Sequence, residues 1–218
     1  MGASTCKLPQ VLLVAAALAQ PVRAGADPMA AALAAYAEGD LLVAQRGFTA
    51  LSARGVPLAD YNLAMMHLRG EHTQPDMKRA KVLLERAAKH GFVSAAHSLG
   101  QLHEQGLNGR RDLRQALHWY LIAAAQGSAD AQLAAATAYY LGRGTPKDMG
   151  QAAHWYREAA KGGDEGAQYL IASMYESGLG VPADLRLARY WYEAAAANGD
   201  RAAQAKAAEM TNRLVDER

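Results

Sequence analysis

One segment recurs along the chain at a fixed spacing of 36 residues. Each copy begins at Ala, places a large pair three and four residues later, continues with Ala-Ala and ends near Gly. The copies lie at residues 80–91 (AKVLLERAAKHG), 116–127 (ALHWYLIAAAQG), 152–163 (AAHWYREAAKGG) and 188–199 (ARYWYEAAAANG). A constant period of this length is the signature of a stacked-repeat architecture. The repeat therefore constrains the fold before any other feature is considered.

Each copy of the repeat also carries the same signals for helix ends. A glycine ends a first helix, and an aspartate after a short loop begins a second. The glycines are Gly70, Gly106, Gly142 and Gly178. The aspartates are Asp76, Asp112, Asp148 and Asp184. Because each aspartate directly precedes an apolar-periodic segment, we interpret the four acids as helix caps rather than as catalytic groups.

The apolar pattern of the second helix predicts one buried face. Ala116, Trp119, Tyr120 and Ala123 follow the i, i+3, i+4, i+7 spacing of such a face. Recurrence of the aromatic pair at the same repeat position favours core packing over a ligand-binding box.

These signals predict an all-α protein made of stacked helix–turn–helix repeats. Full repeats are expected at residues 59–94, 95–130, 131–166 and 167–202. A degenerate repeat at residues 28–58 and a capping helix at residues 203–218 are expected at the two ends, where one face of a stack meets solvent.

The first 24 residues have the pattern of a signal peptide. Lys7 precedes the apolar run VLLVAAALA at residues 11–19, and small residues suited to cleavage follow Pro21. Cleavage after Ala24 and cleavage after Ala26 both fit. The run of nine residues is shorter than the roughly 20 that a membrane-spanning helix needs. The interpretation is export to the periplasm or the medium without stable membrane insertion, and an uncleaved anchor is the alternative.

Charge and cysteine content limit the partners that we expect. The chain has 23 Lys and Arg against 21 Asp and Glu, but Lys7 and Arg23 lie in the predicted signal peptide, which has no acid. The remaining chain is formally neutral and therefore lacks the basic surface that nucleic acids or anionic membranes require. Cys6, the single cysteine, lies in the same segment, so no disulfide is expected.

The repeats resemble the Sel1-like repeat (SLR) family, a relative of the tetratricopeptide repeat. The matching residues are the Ala-x-x-x-Leu-Gly of residues 95–100, Gly106, Asp112 and the segment 116–127, with copies at 131–166 and 167–202. The resemblance covers residues 59–203 and extends weakly to residue 28. It implies a right-handed α-solenoid that acts as an adaptor or scaffold. A secreted cysteine-rich subset is described as weakly binding or cleaving β-lactams, and the absence of its paired cysteines here makes that hydrolase the alternative function.

One face of each first helix differs between copies and is the candidate binding site. Successive residues of an α-helix are rotated by 100° about its axis. The first, fifth, eighth and twelfth residues of the repeat therefore share the face that packs inward, and the third, seventh and tenth residues point away from it. The solenoid geometry that the resemblance implies puts them on the concave surface, where apolar and aromatic side chains suit a protein or peptide partner. These twelve residues, which we call the strip, are Tyr61, Met65, Leu68, His97, Gln101, Glu104, Leu133, Thr137, Tyr140, Tyr169, Ser173 and Glu176. Packing between adjacent repeats is the alternative explanation for this set.

The histidines and short motifs give no indication of catalysis. His67 and His103 share one repeat position, and His118 and His154 share another. Equivalent positions on stacked helices lie about 10 Å apart, too far for two ligands of one zinc ion. The sequence contains no HExxH, GxSxG or phosphate-binding loop motif. We therefore expect a monomeric, non-enzymatic adaptor or regulator of the bacterial cell envelope that needs no metal or cofactor.

Overall fold

The computed structural model describes residues 27–71, 74–107 and 109–216, and within them it contains eleven α-helices and no strand. The helices are α1 (Pro28–Ala37), α2 (Leu41–Ala53), α3 (Pro57–Arg69), α4 (Met77–Lys89), α5 (Val93–Gln105), α6 (Leu113–Ala125), α7 (Ala129–Leu141), α8 (Met149–Lys161), α9 (Glu165–Ser177), α10 (Leu185–Ala197) and α11 (Arg201–Asp216). Each helix packs mainly against its neighbours in chain order. The fold is the all-α solenoid that the period predicted, and the predicted signal peptide lies outside the described residues.

The helix ends lie where the glycines and aspartates predicted them. Helices α3, α5, α7 and α9 each end at a glycine with φ between 67° and 73°. The carboxylate of the aspartate before the next helix accepts hydrogen bonds from amides of its first turn, for example Asp148 from Gln151 at 2.9 Å. The interpretation of the four aspartates as caps is confirmed. The repeat starts expected at residues 59, 95, 131 and 167 lie two residues inside α3, α5, α7 and α9.

Two glycines bring a loop against the start of a helix in the preceding repeat. Gly144, in the loop after α7, lies against the backbone of Leu113 at the start of α6. Gly180, in the loop after α9, lies in the same way against Met149 at the start of α8. A Cβ atom at Gly180 would come 2.1 Å from the carbonyl oxygen of Met149. Each of these loops therefore approaches the preceding repeat more closely than any side chain allows.

Alanine is the commonest residue of the core between the helices, followed by leucine and tyrosine. Ala59, Ala95, Ala131 and Ala167 occupy one repeat position and are fully buried. The tyrosine of each Trp-Tyr pair is also buried, and its exposed fraction in the three copies is 4%, 3% and 1%.

The tryptophans differ from the prediction of a uniformly buried face. Trp191 is buried, but Trp119 and Trp155 are only partly buried. Each of these two indoles packs against the core on one side and meets the exposed ring of the preceding histidine, His118 or His154, edge-on. Each indole therefore stays only partly buried, and the tyrosine contributes more of the burial.

An arginine pairs with a buried carboxylate near the N-terminal end of the stack. The guanidinium of Arg86 on α4 donates to both carboxylate oxygens of Asp60 on α3 and to the hydroxyl of Ser52 on α2. Asp60 is fully buried, so this pairing satisfies a charge that water does not reach. The ion pair joins the two helices of the first full repeat, and the hydrogen bond to Ser52 connects that repeat to the degenerate N-terminal one.

No helix in the described ranges has both the length and the apolar character needed to cross a membrane.

Substitution of Gly180 tests the contact between the loop after α9 and the start of α8. We expect Gly180→Ala to lower the free energy of unfolding by about 3 kcal/mol, because a positive φ and a backbone clash act together. Gly163→Ala is the matched control, since Gly163 has a φ of +92° but no atom within 4 Å of the added Cβ. The control should lose only about 1 kcal/mol. Urea unfolding followed by circular dichroism measures both, and equal losses would contradict the proposed close approach.

Candidate partner-binding site

The N-terminal part of the strip is buried rather than exposed. Tyr61, Met65 and Leu68 each retain only 7% of their accessible surface. The Tyr61 ring packs against Phe92 with 5.0 Å between centroids. Met65 and Leu68 lie beside Leu102 and other residues of the next repeat. For these three residues the expectation of exposure is wrong, because packing between adjacent repeats covers them.

The other nine strip residues are partly buried and surround the tyrosines of the second helices. The ring of His97 lies 5.7 Å from that of Tyr120, Tyr140 lies 6.4 Å from Tyr156, and Tyr169 lies 5.2 Å from Tyr192. These nine residues are His97, Gln101, Glu104, Leu133, Thr137, Tyr140, Tyr169, Ser173 and Glu176. The face predicted from the first helix is thus completed by a side chain from the second helix of the same repeat.

Hydrogen bonds connect the strip to these tyrosines. The Tyr120 hydroxyl donates to Glu104 Oε2 at 2.7 Å, and the Tyr192 hydroxyl donates to Glu176 Oε2 at 2.8 Å. Burial, followed by the bond to Glu104, raises the pKa of Tyr120 above its usual range. The phenol therefore stays protonated at neutral pH and remains a donor, which orients the carboxylate.

A cavity of about 250 Å³ opens where the strip passes from α5 to α7. Three strip residues line it: Glu104, Leu133 and Thr137. The remaining lining residues come from α6, from α7 and from the loop after α7. They are Leu113, Ala116, Leu117, Tyr120, Asp130, Ala134, Ala138 and Arg143. The cavity thus joins two consecutive repeats.

The polar groups of the cavity leave it with an excess of negative charge. Glu104 and Asp130 are carboxylates, and Arg143 Nη1 lies 3.8 Å from Glu104 Oε1, beyond hydrogen-bond distance. Burial lowers the pKa of the nearby His97 below its usual range, with Asp130 and Glu104 opposing that effect. The imidazole is therefore neutral at pH 7 and adds no positive charge to the site.

The carboxylate of Glu176 in the last repeat is paired more fully. Lys206 Nζ lies 3.0 Å and Arg213 Nη1 lies 3.3 Å from Glu176 Oε1, and both cations belong to α11. Burial raises the pKa of Glu176, but hydrogen bonds from Lys206 and Tyr192 and the nearby positive charges outweigh it, so that the pKa lies below its ordinary value. The strip therefore ends in an ion-paired contact with the terminal helix.

Several residues of this site could not be predicted from the sequence. The helical pattern predicts Tyr120 only as a core residue, and it gives no reason to select Asp130 or Arg143. The 36-residue spacing of Tyr120, Tyr156 and Tyr192 is visible in the sequence, but the contact of Tyr120 with Glu104 depends on how two helices pack. Arg143 directly follows a helix-ending glycine, and the sequence offers no signal that it turns toward Glu104.

The two pairs of equivalent histidines differ in exposure. His67 and His103 are buried, and His118 and His154 are exposed. Across the ranges that the structure describes, no group of three or more His, Cys, Asp or Glu side chains is arranged to hold a metal ion.

Comparison with known proteins identifies relatives of the repeat. Residues 57–92, 93–128, 129–164 and 166–200 each match the family model of the Sel1 repeat. No curated protein matches the chain significantly.

Two solved structures are similar to most of the chain. A protective antigen present in uropathogenic Escherichia coli strains, which displays an SLR fold, is 27% identical, with a TM-score of 0.75 over 84% of this chain and 42% of its own. A Sel1 repeat protein from Oxalobacter formigenes is 30% identical, with a TM-score of 0.68 over 78% of this chain and 49% of its own. The chain spans about half the length of these proteins or less.

The Glu176 pairing predicts a pH-dependent stability. Because the pKa of Glu176 is lowered by folding, its contribution is complete above the ordinary pKa of 4.5 and is lost as the pH falls through the lowered value. Glu176→Gln should therefore reduce the free energy of unfolding by about 1 kcal/mol at pH 7 and by much less at pH 3. Urea unfolding at the two pH values measures the difference.

Glu193→Gln is the control for this measurement. Glu193 forms an exposed pair with Arg189 and retains 57% of its side-chain surface. Its substitution should cost less than about 0.5 kcal/mol at pH 7. An equal effect of Glu176→Gln at pH 7 and pH 3 would show that the ion pairs do not stabilise the docked α11.

Proposed function

Because the chain belongs to the Sel1 repeat family, whose members typically mediate protein–protein interactions, we propose that it is a binding scaffold of the bacterial cell envelope. In this proposal a segment of a partner protein binds along the strip at the cavity between α5, α6 and α7. The chain holds the partner without chemical change and acts as an adaptor or regulator.

The observation that carries the proposal is the cavity itself. It combines an apolar floor from Leu113, Leu117 and Leu133 with polar groups from Glu104 and Thr137. At about 250 Å³ it is smaller than the roughly 300–1,000 Å³ of a typical small-molecule pocket. A cavity of this size suits one anchoring side chain of a partner better than a cofactor or a drug-sized ligand.

A non-catalytic role agrees with the family. Proteins built from this repeat are generally non-catalytic scaffolds. The hydrolase alternative rests on relatives with paired cysteines inside their repeats, whereas Cys6 is the only cysteine of this chain and precedes the repeats. We therefore propose binding rather than turnover.

The proposed location rests on the composition of residues 1–24. A cationic residue, a nine-residue apolar run and small residues follow one another in the order of a secretory signal. The partner in this proposal is consequently another protein of the periplasm or the cell surface.

Partner capture tests the proposed binding surface. The full chain is immobilised and exposed to an extract of its own organism, and retained proteins are identified by mass spectrometry. Leu133→Arg places a charge on the apolar floor and should reduce the retained partner at least about tenfold. Val82→Arg is the matched control, because Val82 is 61% exposed on α4 and away from the cavity. Equal retention by both variants and the wild type would exclude this surface.

Export is tested separately with a reporter. We expect residues 1–26, fused to an alkaline phosphatase that lacks its own leader, to produce phosphatase activity in the periplasmic fraction. Replacing the apolar run at residues 11–19 with alternating Ser and Asn is the control and should leave the reporter in the cytoplasm. Cytoplasmic retention of the unaltered fusion would contradict the proposed location.

A further inference from the structure

The chain contains an internal counterpart of the cavity. Helices α9, α10 and α11 repeat α5, α6 and α7 after two periods, or 72 residues. Glu176 therefore corresponds to Glu104, and Tyr192 corresponds to Tyr120. In both places the tyrosine hydroxyl donates to Oε2 of the glutamate, at 2.7 Å in the cavity and 2.8 Å in the counterpart. The two sites can thus be compared atom by atom.

In the counterpart a lysine occupies the space beside the glutamate. Lys206 Nζ lies 3.0 Å from Glu176 Oε1 and 3.0 Å from Glu209 Oε2. Its side chain retains 34% of its accessible surface, so about two thirds of it is covered by neighbouring groups. Met210, on the same helix α11, is fully buried.

Small residues replace these side chains in the cavity. Ala134 corresponds to Lys206, Ala138 corresponds to Met210, and Thr137 corresponds to Glu209. All three line the cavity. The open volume therefore lies where the longer side chains of α11 pack in the counterpart.

The charges show the same difference. In the counterpart the carboxylates of Glu176 and Glu209 face two cations, Lys206 and Arg213. The cavity is lined by two carboxylates, Glu104 and Asp130, and by one cation, Arg143, which approaches Glu104.

Arg143 stands in the place of Arg213, since the guanidinium of each approaches Oε1 of its glutamate, at 3.8 Å and 3.3 Å. The cavity therefore has an arginine partner for its glutamate but no equivalent of the lysine.

We propose that the cavity between α5, α6 and α7 binds a lysine side chain of the partner protein, with the aliphatic stem over Ala134 and Ala138 and the ammonium on Glu104. This assignment rests on the proposed binding function and specifies the chemistry of its anchor. The Thr137 hydroxyl, which lies 3.2 Å from that of Tyr156, keeps an oxygen lone pair for the ammonium, and Leu133 and Leu117 contact the stem. The partner segment runs along the strip and inserts one lysine.

The test uses short peptides and the ¹⁵N-labelled full chain. Acetyl-Ala-Lys-Ala-amide is titrated while amide chemical shifts are followed by NMR. Acetyl-Ala-norleucine-Ala-amide, which keeps an alkyl stem but lacks the charge, is the matched probe. The lysine peptide should shift the amides of Ala134 and Thr137 and bind about tenfold more tightly than the norleucine peptide, because its ammonium gains a charge-assisted hydrogen bond.

Two variants separate the role of charge from the role of space. Glu104→Gln keeps an acceptor for Tyr120 but removes the negative charge, and should abolish the tenfold preference for lysine. Ala134→Lys recreates the counterpart by filling the cavity from within, and should prevent binding of both peptides while leaving helicity unchanged. Glu193→Gln, on the exposed face of α10, should leave both titrations unchanged.

The outcomes distinguish this assignment from the proposed function. Equal binding of the two peptides, or shifts confined to residues away from Ala134, would overturn the lysine assignment. Binding of butylamine as tight as that of the lysine peptide would also overturn it, since the site would then select a free amine. If Leu133→Arg still abolishes partner capture in those cases, the binding function stands without the lysine. If capture is unaffected by Leu133→Arg, the binding function itself fails.

Discussion

In each full repeat the aspartate that begins the second helix makes hydrogen bonds in two directions. Its carboxylate accepts from amides of the helix that it caps, and its own amide donates back to a carbonyl of the helix before it. Asp148 binds the carbonyl of Tyr139 at 3.1 Å, and Asp184 binds that of Tyr175 at 2.9 Å. One residue thus fixes both ends of the loop. The strip lies on the first helices and the tyrosines lie on the second, so this residue ties together the two helices of each repeat that form the candidate site.

The fold could be predicted almost completely because its determinants are local and repeated. The 36-residue period, the glycine ends and the aspartate caps each act within a few residues of chain, and repetition makes them recognisable. The burial of the aromatic residues was less predictable. A helical pattern gives the direction of Trp119 and Trp155, but not how far a neighbouring repeat covers them. The histidine one residue earlier meets each of these rings edge-on, and a pattern of apolar positions does not contain this contact.

The sequence predicts which side of each first helix carries the candidate site, but not how open that side is or which charges lie on it. The third, seventh and tenth repeat positions do share one side of each first helix. Whether that side is open depends on side chains of the next repeat, which lie about one period later in the chain. Leucines near Leu68 close it at the N-terminal end, Lys206 and Arg213 occupy it at Glu176, and alanines leave it open at Glu104. These differences arise from pairs of positions on separate helices, and a single helix pattern does not contain them.

The alanine layer has a consequence for the thermodynamics of association. Ala59, Ala95, Ala131 and Ala167 have no rotamers, so the spacing of the first helices is set without side-chain conformational entropy. The backbone of these helices is already ordered before a partner binds, so binding along them orders it little further. Immobilising a flexible side chain costs roughly 0.5–1.5 kcal/mol in entropy. On this protein that cost arises mainly from a few long side chains around the cavity, such as Glu104 and Arg143. The partner's own segment bears most of the remaining loss of freedom.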